Sequence, residues 1–362
     1  MKRRFLYLLI ALTLCASCGK TQSVFENRNE EIPLETEIRI MAVGDNLIHS
    51  PIYKSCRTEN GYDFSGIYSH IVPYIKDADI AAINQETVFV SDERLYSGYP
   101  MFGTPMFVGE AIKQAGFNVV THATNHAFDK HADAVFETID FWKKYPEIMY
   151  LGIHDSAEDA KKINYFVKND FKIALLNFTY GLNGFTLPKG KEYLIDLYDS
   201  ENAAYYVKRA EETADYTVVF IHFGTEYTHT PTQTQKKWAH DLCENGADLI
   251  IGAHPHVIQN YEMITSDNGN KAVVFYSLGN FVSNQDSIDK VLGAMADVTV
   301  KKSGDKVRTE NYVMHPVVTH AGKKYTIYML KDYTDELAAK HRRCRGLTVN
   351  KLKKLFNSVT NL

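Results

Sequence analysis

Apolar, β-branched runs alternate along the chain with segments whose apolar residues recur at helical spacing, and this alternation predicts an α/β fold. The clearest unit pairs two runs, residues 218–221 and 249–251, with a helical segment at residues 232–245 between them. Gly246 follows that segment as a stop signal. The unit is typical of a β-α-β crossover with parallel strands, and ligands bind where such strands end.

The same pattern extends through the rest of the chain. We predict strands at residues 38–43, 80–83, 118–121, 150–153, 163–167, 172–177 and 273–276. We predict helices at residues 66–76, 107–115, 130–145 and 201–214. Residues 296–300 and 312–318 are expected as antiparallel edge strands. Residues 89–105 are predicted as a long loop, either a substrate-contacting loop or a plain surface loop.

The first residues have the pattern of an export signal. Lysine and arginine at positions 2–4 precede an apolar run at residues 5–14 that is too short for a spanning helix. Ala16 and Ser17 directly before Cys18 resemble a bacterial lipoprotein cleavage box, which implies a lipid on Cys18 and attachment to a membrane surface. An uncleaved anchor or a plain secretory signal is the alternative.

These features divide the chain into four parts. They are a signal peptide at residues 1–17, a flexible tether at 18–36, a folded domain at 37–330 and a peripheral C-terminal tail at 331–362.

Charge and cysteine content narrow the class of protein. The formal net charge is −4, and loss of residues 1–17 removes three positive charges and no acid, which changes it to −7. An acidic protein of this kind is a poor candidate for binding nucleic acid, so we expect no nucleic-acid partner. Besides Cys18, the mature chain keeps only Cys56, Cys243 and Cys344, which indicates neither a disulfide framework nor a zinc ribbon.

Acidic, amide and imidazole side chains follow five of the predicted strands. They are Asp45, Glu86, Asn125 with His126, His222, and His254 with His256. Each has an ordinary explanation as a loop residue, and Asp45 alone is better explained as a turn cap. Their recurrence favours one shared site, provided that the strands share one sheet edge. The oxygen and nitrogen ligands suit manganese, iron or zinc, and a carboxylate able to bridge suggests two divalent metal ions.

Neighbouring residues can complete such a site. His126 can act on a substrate as an acid or charge stabiliser, and Asp129 can accept a hydrogen bond from its ring. The alternative role for Asp129 is a helix N-cap. Tyr180 and Asn183 lie in a glycine-punctuated loop that either reaches the site or simply turns the chain. Asn280 can hydrogen-bond back to a metal ligand.

The order of motifs along the chain resembles one known family. The motifs G-D, N-x-E, N-H, H-F-G-x-E, G-x-H-P-H and S-L-G-N-F are similar to those of the poly-γ-glutamate capsule-biosynthesis (CapA-type) family, within the calcineurin-like metallophosphoesterase superfamily. The resemblance covers residues 38–285. It implies a four-layer α/β/β/α sandwich of metallophosphoesterase type, with mixed sheets and a metal site at one end.

The resemblance also implies roles for individual residues. It makes Glu86 the bridging ligand, His126 the substrate-facing acid and Glu226 a support or second ligand. The metal ligands that it implies are Asp45, Glu86, Asn125, His222, His254 and His256.

The chain departs from the resemblance at two points. The wider superfamily opens with D-x-H, whereas Leu47 stands two residues after Asp45, so one metal position is expected to be weaker or differently filled. Lys130 and His131 follow N-H-A-F-D, where the family pattern has a glycine nearby. This difference affects the expected conformation of the turn and not the assignment of the ligands.

Together these observations lead to one main hypothesis and two alternatives. We expect a lipid-anchored, dinuclear-metal hydrolase that acts on a phosphoester or related linkage, with an anionic surface polymer and capsule synthase components as partners. The first alternative is a non-catalytic assembly or tethering component that keeps the metal site for polymer binding. The second is a periplasmic solute-binding module, which would need no cluster of strand-end ligands.

Overall fold

The computed structural model describes residues 35–360, which form two β-sheets packed face to face with helices on both outer sides. In chain order the strands are β1 (Glu35–Asn46), β2 (Arg57–Thr58), β3 (Gly61–Tyr62), β4 (Ile80–Asn84), β5 (Phe89–Val90), β6 (Thr104–Pro105), β7 (Val119–Thr121), β8 (Met149–Leu151), β9 (Asn164–Lys168), β10 (Phe171–Thr179), β11 (Tyr216–His222), β12 (Leu249–Ala253), β13 (Tyr261–Thr265), β14 (Lys271–Phe275), β15 (Asn280–Val282), β16 (Leu292–Ser303), β17 (Lys306–Ala321) and β18 (Tyr325–Met329). The helices are α1 (Ser50–Ser55), α2 (Ser65–Tyr68), α3 (Val72–Ile75), α4 (Phe107–Ala115), α5 (His131–Trp142), α6 (Ser200–Glu211), α7 (Gln233–Glu244), α8 (Ile288–Val291), α9 (Asp335–Ala339) and α10 (Val349–Thr360).

Both large sheets mix parallel and antiparallel strands. The first has eight strands in the order β18-β17-β16-β1-β4-β7-β8, with β15 paired to the end of β1. The second has six strands in the order β13-β14-β12-β11-β10-β9. Strands β1, β4, β7 and β8 run parallel in the first sheet, as do β10, β11, β12 and β14 in the second. The parallel strands therefore deliver their carboxyl ends to one edge of each sheet.

Alternation of side chains along the strands explains the layers. On β1, Ile38, Ile40 and Ala42 face the second sheet and belong to the core between the sheets, whereas Met41 and Val43 face the helices α2, α4 and α5. The second sheet packs its other face on α6 and α7. These helices, sheets and cores give the order helix, sheet, sheet, helix, and the predicted α/β sandwich with mixed sheets is confirmed.

Several predicted elements differ from the structure. The helix predicted at residues 66–76 is two short helices, α2 and α3, because Pro73 lacks the N–H group that a continuous helix would need there. The loop at residues 89–105 contains the small β5–β6 sheet and a hairpin in which Ser97 and Gly103 exchange backbone hydrogen bonds. The segments at 296–300 and 312–318 were predicted as edge strands, which is wrong. They belong to long interior strands, β16 and β17, since β18 covers β17.

The C-terminal residues are part of the folded core, so the prediction of a peripheral tail is wrong. Cys344, Leu347 and Leu352 are buried and join the apolar cluster between the two sheets. Residues 355, 356 and 359 pack half-buried against the same cluster, which makes α10 amphipathic. At the other end, residues 35 and 36, predicted as tether, are the first residues of β1.

The predicted signal peptide, the lipidated Cys18 and the tether up to residue 34 lie outside the described residues. Among the helices of residues 35–360, none combines the length and the apolar character needed to cross a lipid bilayer.

A buried ion pair beyond the end of β8 makes stability depend on pH. His154 Nε2 lies 2.9 Å from Asp196 Oδ2, and its Nδ1 lies 3.6 Å from Asp159 Oδ2. Burial alone would lower the pKa of His154, but the two carboxylates outweigh it and raise the pKa to about 9. This stabilisation is fully present below the ordinary histidine pKa, near 6.5, and is lost as the pH rises through about 9.

We therefore expect His154→Gln to destabilise the fold most at mildly acidic pH. The loss in unfolding free energy relative to the parent should be roughly 3 kcal/mol at pH 6 and should shrink strongly by pH 9.5. Urea unfolding of both proteins across this range measures the difference. His240→Gln, a partly exposed histidine on α7, is the control. A loss that does not change with pH would show that His154 acts by packing and not by charge.

Candidate metal centre

The carboxyl ends of both sheets meet at one end of the sandwich. Asp45 near the end of β1 pairs in register with Asn84 of β4 and Asn280 of β15. The two sheets are bridged by side chains there: Asp45 Oδ2 lies 3.0 Å from His256 Nδ1, and Asn125 Oδ1 lies 2.9 Å from His222 Nε2. The polar residues that follow the strands therefore lie together at one end of the sandwich, as a single shared site requires.

Asp45 contacts residues of both sheets at this end of the sandwich. Its side chain is buried, and Oδ1 accepts hydrogen bonds from Asn84 Nδ2 at 2.9 Å and from the His254 backbone N–H at 3.2 Å. Its other oxygen contacts His256. Hydrogen bonds from several strands fix the carboxylate, so it is held in place by the fold and is not a turn cap.

The two carboxylate oxygens of Glu86 are buried without hydrogen-bond partners in the described residues. The residue as a whole is fully buried. Oε1 lies 3.7 Å from His256 Nε2 and 3.8 Å from His222 Nε2. Burial, with Asp45 adding a like charge, raises the pKa of Glu86 well above its ordinary value. A buried carboxylate without partners is costly unless a cation compensates it.

The histidines present nitrogen atoms to the same space. His254 and His256 both adopt left-handed backbone angles, with φ of +102° and +58°, which is uncommon for residues other than glycine and is often found at functional sites. The rings of His222 and His254 lie 4.9 Å apart, and His254 Nδ1 has no hydrogen-bond partner in the described part of the chain.

The protonation states of the three histidines differ. Burial lowers the pKa of His254 to about 3 and that of His222 well below its ordinary value, so both are neutral imidazoles with a free lone pair. Burial opposes the charge on His256 too, but Glu86 and Asp45 outweigh it and raise its pKa to about 9.

These donors fit a divalent metal ion. Ligand atoms of Asp45, Glu86 and His256 all lie within 4.8 Å of one another. Carboxylate and imidazole without thiolate is a ligand set for a transition metal. The unpartnered atoms of Glu86 and His254 are those that a bound cation would satisfy.

Asn125 and His126 lie next to this cluster. Asn125 donates from Nδ2 to Asn183 Oδ1 at 3.0 Å, which leaves its carbonyl oxygen turned toward His222. His126 is buried, and its Nδ1 lies 2.7 Å from Asp129 Oδ2. The same oxygen accepts the backbone N–H of Phe102 at 2.7 Å. Asp129 is thus a partner of the His126 ring and not a helix cap, since α5 begins at His131 with Lys130 as its N-cap residue.

The remaining predicted residues occupy different positions around the cluster. The Tyr180 ring lies 4.7 Å from the His254 ring and is 41% exposed, which places it at the mouth. Asn280 donates from Nδ2 to the His256 backbone oxygen at 3.1 Å and so holds the H-P-H loop. Glu226 is exposed, and among the described residues its carboxylate is not in the group formed by Asp45, Glu86 and His256.

Three further residues contribute to the site: Asn84, to which the sequence assigned no role, Phe102, a candidate for substrate contact in the loop at 89–105, and His49, either a ligand or a surface residue by its sequence. Asn84 donates to Asp45, and its Nδ2 lies 3.4 Å from His222 Nδ1; the N-x-E motif contained it, but only Glu86 was assigned. Phe102 packs edge-on against His126 at 4.7 Å and against His49 at 5.2 Å. His49, two residues beyond the buried Leu47, therefore lies beside the site. No signal in the sequence joins Phe102 to His126.

Comparison with known proteins identifies the family of this chain. Residues 39–285 match the family model of the bacterial capsule synthesis protein PGA_cap. The chain is 28% identical over 288 residues to the capsule biosynthesis protein CapA of Bacillus anthracis, a match that covers 76% of this chain and 67% of that protein. It is 32% identical over 213 residues to the PGA biosynthesis protein CapA of Bacillus subtilis (strain 168), which covers 58% of this chain and 53% of that protein.

A solved structure supports the fold. The crystal structure of a novel phosphatase from Mycoplasma pneumoniae is similar with a TM-score of 0.50 and 14% identity, over 79% of this chain and 95% of that chain. At this identity the likeness concerns the fold alone. The family predicted from the motifs is confirmed: the chain belongs to the bacterial capsule synthesis protein family.

Proposed function

We propose that this protein is a hydrolase with two divalent metal ions that cleaves a phosphoester or related linkage during the synthesis of a capsule or another anionic surface polymer. The observation that carries the proposal is Glu86, a buried carboxylate with two unpartnered oxygens between the imidazoles of His222 and His256. A structural core would not keep such a group, because burying it without a partner costs several kcal/mol.

The ligands divide naturally around Glu86. Asp45 contacts His256, Asn125 contacts His222, and Glu86 Oε1 lies within 3.8 Å of a nitrogen of each histidine. These residues would hold two ions, with Glu86 shared between them. His254 adds an unpartnered nitrogen to the second group, beside His222. Two ions of manganese, iron or zinc would supply Lewis acidity toward the phosphoryl oxygens and would activate water.

The chain itself supplies positioning and a proton. Because Nδ1 of His126 is engaged by Asp129, Nε2 is the ring nitrogen left to donate a proton to the leaving oxygen. Phe102 holds Asp129 through its backbone N–H and packs against the imidazole, so the loop at 89–105 sets the direction of the ring. Tyr180 at the mouth can contact the substrate beyond the scissile bond.

We also propose that the protein is exported and held on a bacterial membrane by a lipid on Cys18, where capsule synthase components are its partners. This part rests on the basic and apolar pattern of residues 1–18 and on membership of the capsule family. The tethering alternative has no specific support in the geometry.

The role of His126 gives the test. His126→Ala should lower hydrolysis of a responsive phosphoester about 100- to 10,000-fold while metal content stays unchanged, because His126 is an acid and not a ligand. His131→Ala, whose exposed ring packs on Phe128 and Phe185, should keep full activity. Rates on a panel of phosphomonoesters and phosphodiesters, with metal analysis of each protein, measure both effects. A metal-replete parent that hydrolyses none of the panel would refute the hydrolase.

A further inference from the structure

Five exposed basic side chains from two separate parts of the sequence meet beside the metal centre. Lys323 and Lys324 lie in the turn between β17 and β18, and Arg342, Arg343 and Arg345 follow α9. The backbone joins the two parts, since the Arg342 N–H donates to the oxygen of residue 321 at 2.8 Å. We call these five residues the basic surface.

The basic surface is poorly neutralised by the protein itself. Within residues 35–360, Arg343 alone of the five has a carboxylate within 4 Å, that of Asp286 at 3.2 Å. The chain as a whole has a net charge of −4, yet residues 337–362 contain seven lysines and arginines and no acidic residue. Uncompensated positive charge concentrated on one part of an acidic protein attracts anionic partners.

The basic surface is continuous with the mouth of the metal centre. Arg343 Nε donates to the Asn284 backbone oxygen at 3.3 Å, and the Tyr325 hydroxyl donates to the side chain of Asn284. The Asn284 N–H in turn lies 3.4 Å from His49 Nδ1. His49 packs on Phe102, which also contacts His126. One hydrogen-bonded residue, Asn284, therefore separates the arginine from the rings around the site.

We propose that the basic surface binds a linear polyanion, a chain with repeated carboxylate or phosphate groups, alongside the metal centre. Five cations spread over a turn and a loop suit charges that recur along one chain better than a single small anion, which would need convergent donors. A neighbouring linkage of the bound chain would then lie at the mouth. This placement deepens the proposed function and rests on it, but binding itself needs neither metal nor turnover.

The test compares two triple variants of the full-length protein. Lys323→Gln/Lys324→Gln/Arg342→Gln removes three charges of the basic surface and leaves Arg343, with its contacts to Asn284 and Asp286, in place. The control, Lys208→Gln/Lys236→Gln/Lys306→Gln, removes three exposed charges elsewhere; in residues 35–360 none of these three has a carboxylate within 4 Å. Both variants have the same net charge.

Binding is measured by fluorescence anisotropy with labelled poly-L-glutamate and labelled polyphosphate as probes. The basic-surface variant should bind at least one of them about tenfold more weakly, and the control within about twofold of the parent. The difference should fall as salt is raised, because exposed charges are screened. The probe that responds identifies carboxylate or phosphate as the recognised group.

Three results would overturn the proposal: unchanged affinity in the basic-surface variant, an equal loss in the control, or binding of anionic lipid vesicles with no binding of either soluble polymer. The last result would assign the surface to a membrane. Repeating the measurement in His254→Ala/His256→Ala separates this proposal from the hydrolase. Polyanion binding that persists there, in a protein without hydrolysis, supports the surface even where the proposed chemistry fails.

Discussion

Replacing His254 and His256 together by alanine is expected to remove nearly all divalent metal from the protein. The parent, reconstituted with manganese, iron or zinc, should hold ~2 ions per chain, as a bridged pair requires. His256 contributes one of the three ligand atoms that lie within 4.8 Å of one another, and His254 contributes an unpartnered nitrogen beside His222. Without both rings, Glu86 and Asp45 keep no imidazole from the H-P-H loop, and neither ion position retains its full ligand set.

The same variant should not unfold. Alanine does not relieve the left-handed backbone at either position, and it removes the His256 ring that lies 3.0 Å from the buried Asp45 carboxylate. We therefore expect the metal-free variant to stay folded but to melt at a lower temperature than the metal-free parent. Added metal should raise the melting temperature of the parent alone, since only a protein that binds the ion is stabilised by it.

Metal analysis by mass spectrometry, with thermal melts in the presence and absence of a chelator, measures both effects. His70→Ala/His240→Ala is the matched control, because it removes two imidazoles that lie against Tyr328 and near Asp267, away from the centre. A parent that binds no metal under any reconstitution would refute the metal centre. A variant that loses metal only because it no longer folds would leave the two rings without an assigned role.

The sequence predicted the strands that carry the site because each has a local signature. Residues 218–221 and 249–251 are apolar runs, with His222 directly after the first and His254 three residues after the second. In the structure β11 and β12 pair in parallel, with His222 beside Ala253. Periodicity marks such buried strands without tertiary information. The strand-end rule for parallel sheets then places the polar residues that follow them.

The parts that could not be predicted depend on contacts between distant residues. Phe102 holds Asp129 across 27 positions in sequence, and Asn183 meets Asn125 across 58. Neither pair has a fixed spacing, so only the assembled fold brings them together. The basic surface is a similar case, since the hydrogen bond between the Arg342 N–H and the Ala321 oxygen forms only because β18 and α9 turn the chain back.

The C-terminal residues show a different limit of sequence reasoning. Lysine and arginine are frequent at positions 340–354, and this composition favours an exposed tail. The apolar residues at positions 349, 352, 355, 356 and 359, however, recur at the spacing of a helix with one apolar face. The structure shows that Leu347 and Leu352 fill the core between the sheets at one side of the sandwich. Helical spacing predicts that α10 has a buried face, but not which part of the core that face covers.

That packing leads to the second large expected effect, a collapse of stability when residues 346–362 are removed. The deletion takes two fully buried leucines, Leu347 and Leu352, and the half-buried residues 355, 356 and 359 out of the core. At about 1.5–3 kcal/mol for each fully buried side chain and less for the others, the loss is roughly 6–10 kcal/mol. This is comparable to the whole stability of a typical domain, about 5–15 kcal/mol, so we expect the truncated protein to be insoluble or unfolded.

A single substitution tests the packing of α10 without truncation. Leu352→Ala should lower the unfolding free energy by about 2–5 kcal/mol, because it leaves a cavity between the sheets. Lys353→Ala, the next residue on the exposed side of α10, should change it by no more than about 0.5 kcal/mol. Urea unfolding of the two variants beside the parent gives both values. Two results together would show that residues 346–362 are a loose tail. Leu352→Ala and Lys353→Ala would be equally stable, and the truncated chain would still unfold cooperatively at the urea midpoint of the parent.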